Sequence, residues 1–169
     1  MQNSKINNFQ LVVLTLLRVA IGWHFLYEGI VKLLNPNWSA AAFLVESKWL
    51  FSDLFQAIAM NPTALQVVNF LNIWGLILIG AGLMFGLFTR IASVSGIALL
   101  LLYYIANPPF VGYSAGLPTE GSYIFVDKNL VELIALLVIA IIPTGTFLGL
   151  DRLVQFAKIT KIKRPIPKE

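Results

Sequence analysis

One stretch, Leu11 to Leu34 (LVVLTLLRVAIGWHFLYEGIVKLL), limits what this chain can fold into. Its 24 residues suffice for a helix across a bilayer, which takes about 20. Yet it carries Arg18, His24, Glu28 and Lys32. A charged group facing lipid at the membrane centre costs roughly 2.5–3.5 kcal/mol on insertion scales. These groups must therefore face something other than lipid.

Helical geometry allows it. With Arg18 at zero and a step of about 100° per residue, His24 falls at about 240°, Glu28 at about 280° and Lys32 at about 320°. Gly22 and Gly29 lie beside that sector, where a neighbouring backbone can approach closely. Ionisable residues on one face of a membrane helix point to a functional site in a bundle interior. The alternative is that Arg18 and Lys32 snorkel to the two interfaces while Glu28 pairs with Lys32 at i, i+4.

Composition agrees with a membrane setting. Of the 169 residues 58% are hydrophobic and 12% charged, against about 25% charged in soluble domains. Mean hydropathy is +0.81. The net charge of +4 comes from basic residues crowded at the C-terminus, which is not a nucleic-acid signature. With no cysteine, disulfides, iron–sulfur clusters and thiol catalysis are excluded, and one histidine cannot supply a bis-histidine haem within one chain. No covalently bound cofactor and no metal site are expected. The N-terminal apolar run is too long and too charged for a cleavable signal and is expected to stay in the mature chain.

Four spans are expected, at about residues 11–34, 65–88, 91–107 and 130–150, with Pro143 and Gly145 loosening the end of the last. The fold class is thus all-α: a single domain, residues 1–169, forming a four-span membrane bundle. An even number of spans puts both termini on one side. That side collects Lys5, Arg90, Arg152, Lys158, Lys161, Lys163, Arg164 and Lys168, against Lys48 and Lys128 opposite, so both termini are expected to be cytoplasmic in a bacterial inner membrane. The long loop after the first span places Trp38, Phe43, Trp49, Phe51 and Phe55 among few charges, which suits short interfacial helices acting as a lid or a docking surface. The second outer loop, residues 108–127, is rich in Pro, Gly and Tyr, and loops of that length are often functional. The basic tail, residues 151–169, suits anionic lipid headgroups.

With the topology fixed, polar residues from all four spans fall in one outer layer. Glu28 and Lys32 lie in the outer third of the first span, His24 near its middle and Arg18 in its inner third. The second span contributes Asn69 and Asn72, the third Tyr103, Tyr104 and Asn107, the fourth Asn129 and Glu132, with Lys128 four residues before Glu132. The inner halves of spans two to four are apolar plus glycine and serine. Such asymmetry suits a ligand pocket open to the outer side or outer leaflet. The alternative is a structural network of Lys32–Glu28 and Lys128–Glu132 pairs with Asn bridges. Two carboxylates, a histidine and a lysine in low dielectric form a proton-handling set. With Asn and Tyr donors they suit the carbonyl oxygens of a lipid-soluble quinone, and equally a polar small molecule or a lipid headgroup.

Arg18-x3-Gly22-x6-Gly29-x2-Lys32 resembles the opening motif of the DoxX family of small four-helix membrane proteins. Asn72 to Ala92, NIWGLILIGAGLMFGLFTRIA, is similar to that family's second helix and inner turn, with Gly75, Gly80, Gly86, Thr89 and Arg90 at matching places. NLVELIALL (Asn129 to Leu137) and GTFLGLD (Gly145 to Asp151) resemble its last helix and its end. Many relatives carry an acidic residue where this chain has Asn72. The family is named for a subunit linked to a membrane thiosulfate:quinone oxidoreductase, so the resemblance implies a four-helix bundle, a link to quinone and membership of a complex.

Together these readings lead to a membrane subunit with an outer pocket, supporting quinone-linked redox work beside a membrane or periplasmic partner that carries the redox centre, the chain itself being an oxidoreductase subunit at most. Arg18 and Lys32 would anchor polar groups, Glu28, Glu132 and His24 would handle protons, and Asn69, Asn72, Tyr103, Asn107 and Asn129 would complete the ligand site. Self-association is left open. The alternatives are a structural anchor or assembly subunit without a ligand, and a small-solute or lipid transporter, against which stands the absence of an inverted repeat.

Overall fold

A computed structural model describes residues 7–109, 124–142 and 144–153, and every regular element among them is helical. Helix α1 covers Asn8–Leu34, α2 Ala41–Val45, α3 Ser52–Met60, α4 Pro62–Phe85, α5 Thr89–Ala106 and α6 Lys128–Ile141, followed by a 3-10 turn at Thr144–Thr146. Most of the second outer loop, Pro143 and the basic tail beyond Leu153 lie outside the described residues.

Local chemistry sets these boundaries. The Asn7 amide donates to Gln10 Oε1 at 2.9 Å to start α1, and the helix stops at Leu34, before an Asn35 that precedes proline and is extended. Asn61 Oδ1 accepts the Thr63 and Ala64 amides at 3.1 and 3.2 Å, with Pro62 as the first helical residue of α4. Gly86, at φ +64°, ends α4 in the left-handed conformation that favours glycine. Asp127 Oδ1 accepts the Leu130 amide at 2.9 Å to open α6. Ile142, the residue before Pro143, is extended and closes it.

Three helices among the described residues, α1, α4 and α5, are long and apolar enough to cross a membrane. The α4 boundaries lie three residues before the expected 65–88, because Asn61–Pro62 opens the helix and Gly86 closes it. Helix α6 has 14 residues, about 21 Å at 1.5 Å per residue, where a span continuing to Leu150 was expected. Its last part is replaced by the tight Thr144–Thr146 turn, with Thr144 and Gly145 buried.

Helix α1 packs mainly on α4, and α5 mainly on α6. The first pair meets backbone to backbone. A Cβ on Gly80 would run into the backbone of Leu26 and the Gly22 carbonyl, and one on Gly22 would lie 2.7 Å from the Met84 nitrogen. Between the two pairs a core forms from Phe25, Leu76, Leu83, Leu100, Leu136 and Ile139. Large side chains such as Trp23, Leu78, Ile91 and Val94 stay exposed on the outer surface of the bundle. In a bilayer that surface meets lipid tails as apolar as itself, so helix association rests on close packing at small residues.

One end of the bundle is tied by a dense set of bonds. Arg18, 2% exposed, donates through Nη2 to the Leu148 carbonyl at 2.7 Å and through Nη1 to Thr144 Oγ1 at 3.4 Å. The Asp151 carboxylate accepts the Phe88 and Thr89 amides at 2.7 and 3.0 Å, which caps α5 and holds Phe88 in its left-handed conformation at φ 49°. The Asp151 amide in turn donates to the Gly86 carbonyl at 2.8 Å. Gly145 and Gly149 let this segment lie against Thr89 and Gly86.

Candidate functional site

At the opposite end the polar side chains surround a space. A cavity of about 380 Å3 opens between α1, α4, α5 and α6 beneath the segment that joins α1 to α2. Its floor is apolar, from Phe25, Leu76 and Leu100. Its polar wall comes from three adjacent turns of α1, where His24, Glu28 and Lys32 recur every four residues and so share a face. Asn72 of α4, Tyr103 of α5 and Asn129 and Glu132 of α6 complete it.

Two networks run through this wall. His24 Nδ1 lies 2.8 Å from Glu132 Oε1, joining α1 to α6. That pairing makes Nδ1 the donor and turns Nε2 into the ring atom left for a ligand. On the other side, Lys32 Nζ donates to Asn72 Oδ1 at 3.3 Å and lies 3.7 Å from Glu28 Oε2. The Asn72 amide donates on to the Tyr103 hydroxyl. The Lys32 ammonium also sits 5.2 Å from the Trp38 ring centroid and 5.8 Å from that of Tyr103, a double cation–π contact. Lys32 is thus held by one carboxylate, one amide and two rings.

Of the ten residues expected from sequence, seven line the cavity: His24, Glu28, Lys32, Asn72, Tyr103, Asn129 and Glu132. The other three have different partners. Arg18 belongs to the tied end described above. Asn69 Oδ1 accepts the Ala40 amide at 2.9 Å, and Asn107 Nδ2 donates to the Phe43 carbonyl at 3.0 Å. Both therefore fasten the α1–α4 connection over the cavity, where the five-residue α2 leaves backbone groups without helical partners. Asn129 contributes to the wall while its amide donates to Asp127 Oδ2 at 2.9 Å. The expected Lys128–Glu132 alternative gives way to the His24–Glu132 pair, with Lys128 also at the cavity wall.

Sequence reasoning did not assign Trp38, Ser39 and Phe43 to the site. They cover it, and Phe43 packs edge-on against Tyr103 with centroids 5.6 Å apart. The aromatic content of the loop was the available signal. Ser47, buried, ties the same lid to α5 through the Ala106 carbonyl at 2.8 Å.

Fold and site together define a helical membrane protein with a covered polar chamber at one end of its bundle. The DoxX family model matches residues 13–107, more than half of the chain, and the chain belongs to the DoxX family. The matched stretch holds α1 from Val13 onward, α2 to α5 and most of the chamber, while Lys128, Asn129 and Glu132 of α6 lie beyond it. No curated protein and no solved structure matches the chain.

Proposed function

We propose that this DoxX-family protein binds a lipid-soluble quinone in the chamber and serves as the membrane subunit of a redox complex. The observation that carries the reading is the chamber itself: an apolar floor for a ring, walled by a His24–Glu132 pair, Glu28, Lys32, Asn72 and Tyr103. A volume of about 380 Å3 falls within the usual 300–1,000 Å3 of small-molecule sites. Lys32 is placed to draw charge developing on a ligand carbonyl oxygen, and His24 to move a proton to or from it. Reduction of a quinone to a quinol takes two electrons and two protons. In this reading the chamber handles the protons, and a membrane or periplasmic partner carrying a redox centre supplies the electrons.

The membrane setting follows in the same reading. Helix α6 and the segment through Leu150 together form the fourth span, both termini are cytoplasmic in a bacterial inner membrane, and α2 and α3 lie in the outer interface over the chamber. The excess of basic residues on the side of the termini and the Thr89–Arg90 turn supports this orientation.

The test is native mass spectrometry of the gently solubilised protein with a quinone titration of wild type and Glu28→Gln. Retained quinone that the variant loses, with its fold intact, is the expected result. No bound quinone, with the variant indistinguishable from wild type, would make the polar wall a structural network and leave any co-purified partner to define the role.

A further inference from the structure

An open groove of about 460 Å3 lies along the seam between α1 and α6. Leu17 and Ile21 of α1 and Val131 and Ala135 of α6 give it apolar sides. At one end it meets His24, Asp127, Lys128 and Glu132, and of these His24, Lys128 and Glu132 also line the polar chamber. The two spaces therefore share a boundary formed by His24, Lys128 and Glu132. Helices α1 and α6 touch each other little, because α1 leans on α4 and α6 leans on α5.

We infer that this crevice holds the apolar chain of an amphiphilic ligand whose polar head occupies the chamber, so that the chamber is loaded sideways from the bilayer. The inference rests on the chamber being a binding site and narrows its ligand class to a carbonyl-bearing head on one long apolar chain. Three features carry it. The crevice is continuous with the chamber through shared residues. Its sides are apolar over about one helical turn of α1 and one of α6, Leu17 to Ile21 and Val131 to Ala135, which suits a hydrocarbon segment and not a polar solute. The His24 side chain, 40% exposed, belongs to the linings of both spaces, so the head and the chain of one ligand can lie on either side of it. A polar solute arriving from water has no use for the crevice. A quinone with an isoprenoid tail and a single-chain lipid both do.

The experiment uses the full chain in lipid nanodiscs and a benzoquinone bearing a decyl chain with a terminal diazirine. Photolysis and peptide mapping are expected to place label on the segments holding Leu17, Ile21 and Val131. An excess of unlabelled decyl-quinone or of a lysophospholipid should remove it, and whichever competes identifies the head. Val131→Trp, at an exposed position outside the core, fills the crevice. It should cut the competable labelling severalfold while the tailless ring binds as in wild type by calorimetry. Label confined to the lipid-facing side of α1 and α4, around Trp23 and Leu78, or undiminished competable label in Val131→Trp, overturns the crevice. A tailless ring that still binds in that case leaves the chamber reading standing, whereas failure of both ring and probe to bind removes both.

Discussion

The two ends of the bundle use similar residues for opposite purposes. At the tied end Arg18, Thr144, Asp151 and three glycines press together until the carboxylate is occupied by backbone amides and the guanidinium by a carbonyl and a hydroxyl. At the chamber end His24 pairs with Glu132 from α1 to α6 and Glu28 pairs with Lys32 along α1, and all four face a space. Charge inside a membrane helix is thus not by itself a mark of a site. What separates the two cases is whether the polar atoms face backbone that must be satisfied or a cavity that can be filled. Gly22 and Gly80 fall at the close α1–α4 crossing and Gly86, Gly145 and Gly149 at the tied end, so the glycines encode how the helices hold together.

The contrast breaks most severely at the α1–α4 crossing. Gly80→Leu drives a side chain into the backbone of Leu26 and Gly22, which has no flexible end to move aside. The expected outcome is loss of folded protein from the membrane fraction, measured by quantitative immunoblot. Normal accumulation of this variant would mean that the crossing is looser than its geometry. Next in size is Arg18→Leu, which strips the Leu148 carbonyl of a charge-assisted bond worth about 1.5–3 kcal/mol. Thermal unfolding in detergent should fall clearly, while quinone affinity per folded molecule stays at the wild-type value. A selective loss of affinity there would transfer Arg18 to the chamber. Asp151→Ala removes the cap of α5, at a cost of about 1 kcal/mol, with the same pattern of lower stability and unchanged affinity.

Much of the chamber's lining is legible in the sequence, and the expected residues that lie elsewhere do so for physical reasons. The i, i+4, i+8 spacing of His24, Glu28 and Lys32 put them on one face, and depth counting brought Asn72, Tyr103 and Glu132 to their level. Arg18 shares the angular sector, but fourteen residues separate it from Lys32, about 21 Å along a helix, so one face holds two sites. By depth alone Asn69 and Asn107 qualify as ligand donors. Depth cannot reveal that a five-residue helix above them leaves Ala40 and Phe43 with backbone groups to satisfy. The helix end at Ile141 follows from Pro143 acting on the residue before it, while the expected span followed hydropathy alone to Leu150. Pairing of Glu132 with His24 rather than with Lys128 is a contact across 108 positions, for which no local pattern exists.

At the chamber end the expected signs reverse. Glu132→Gln keeps the size and one hydrogen-bond acceptor of the side chain, so the charge-assisted bond becomes a neutral one and thermal stability should fall by only about 1 kcal/mol. Quinone binding, in the native spectrum, should weaken strongly because Nδ1 of His24 loses its carboxylate partner. A large stability loss with unchanged binding would assign the pair to the structural network instead.

The smallest effect sharpens the comparison where it is finest, at the lid. Asn69→Ala removes the acceptor for the Ala40 amide and a weaker contact at 3.4 Å to the Ser39 hydroxyl, while the Asn107 and Ser47 tethers remain. One neutral bond contributes about 0.5–1.5 kcal/mol, and partial exposure of the site puts this one toward the lower bound. Global unfolding should therefore barely change, whereas hydrogen exchange at Ala40 and the neighbouring α2 amides should quicken through local opening. If Trp38 and Phe43 hold a ligand against Lys32 and Tyr103, saturating quinone should restore the slow exchange, because ligand binding to the closed lid stabilises it by mass action. Exchange that quickens and stays fast with quinone bound would mean that the lid covers the chamber without contacting what is in it.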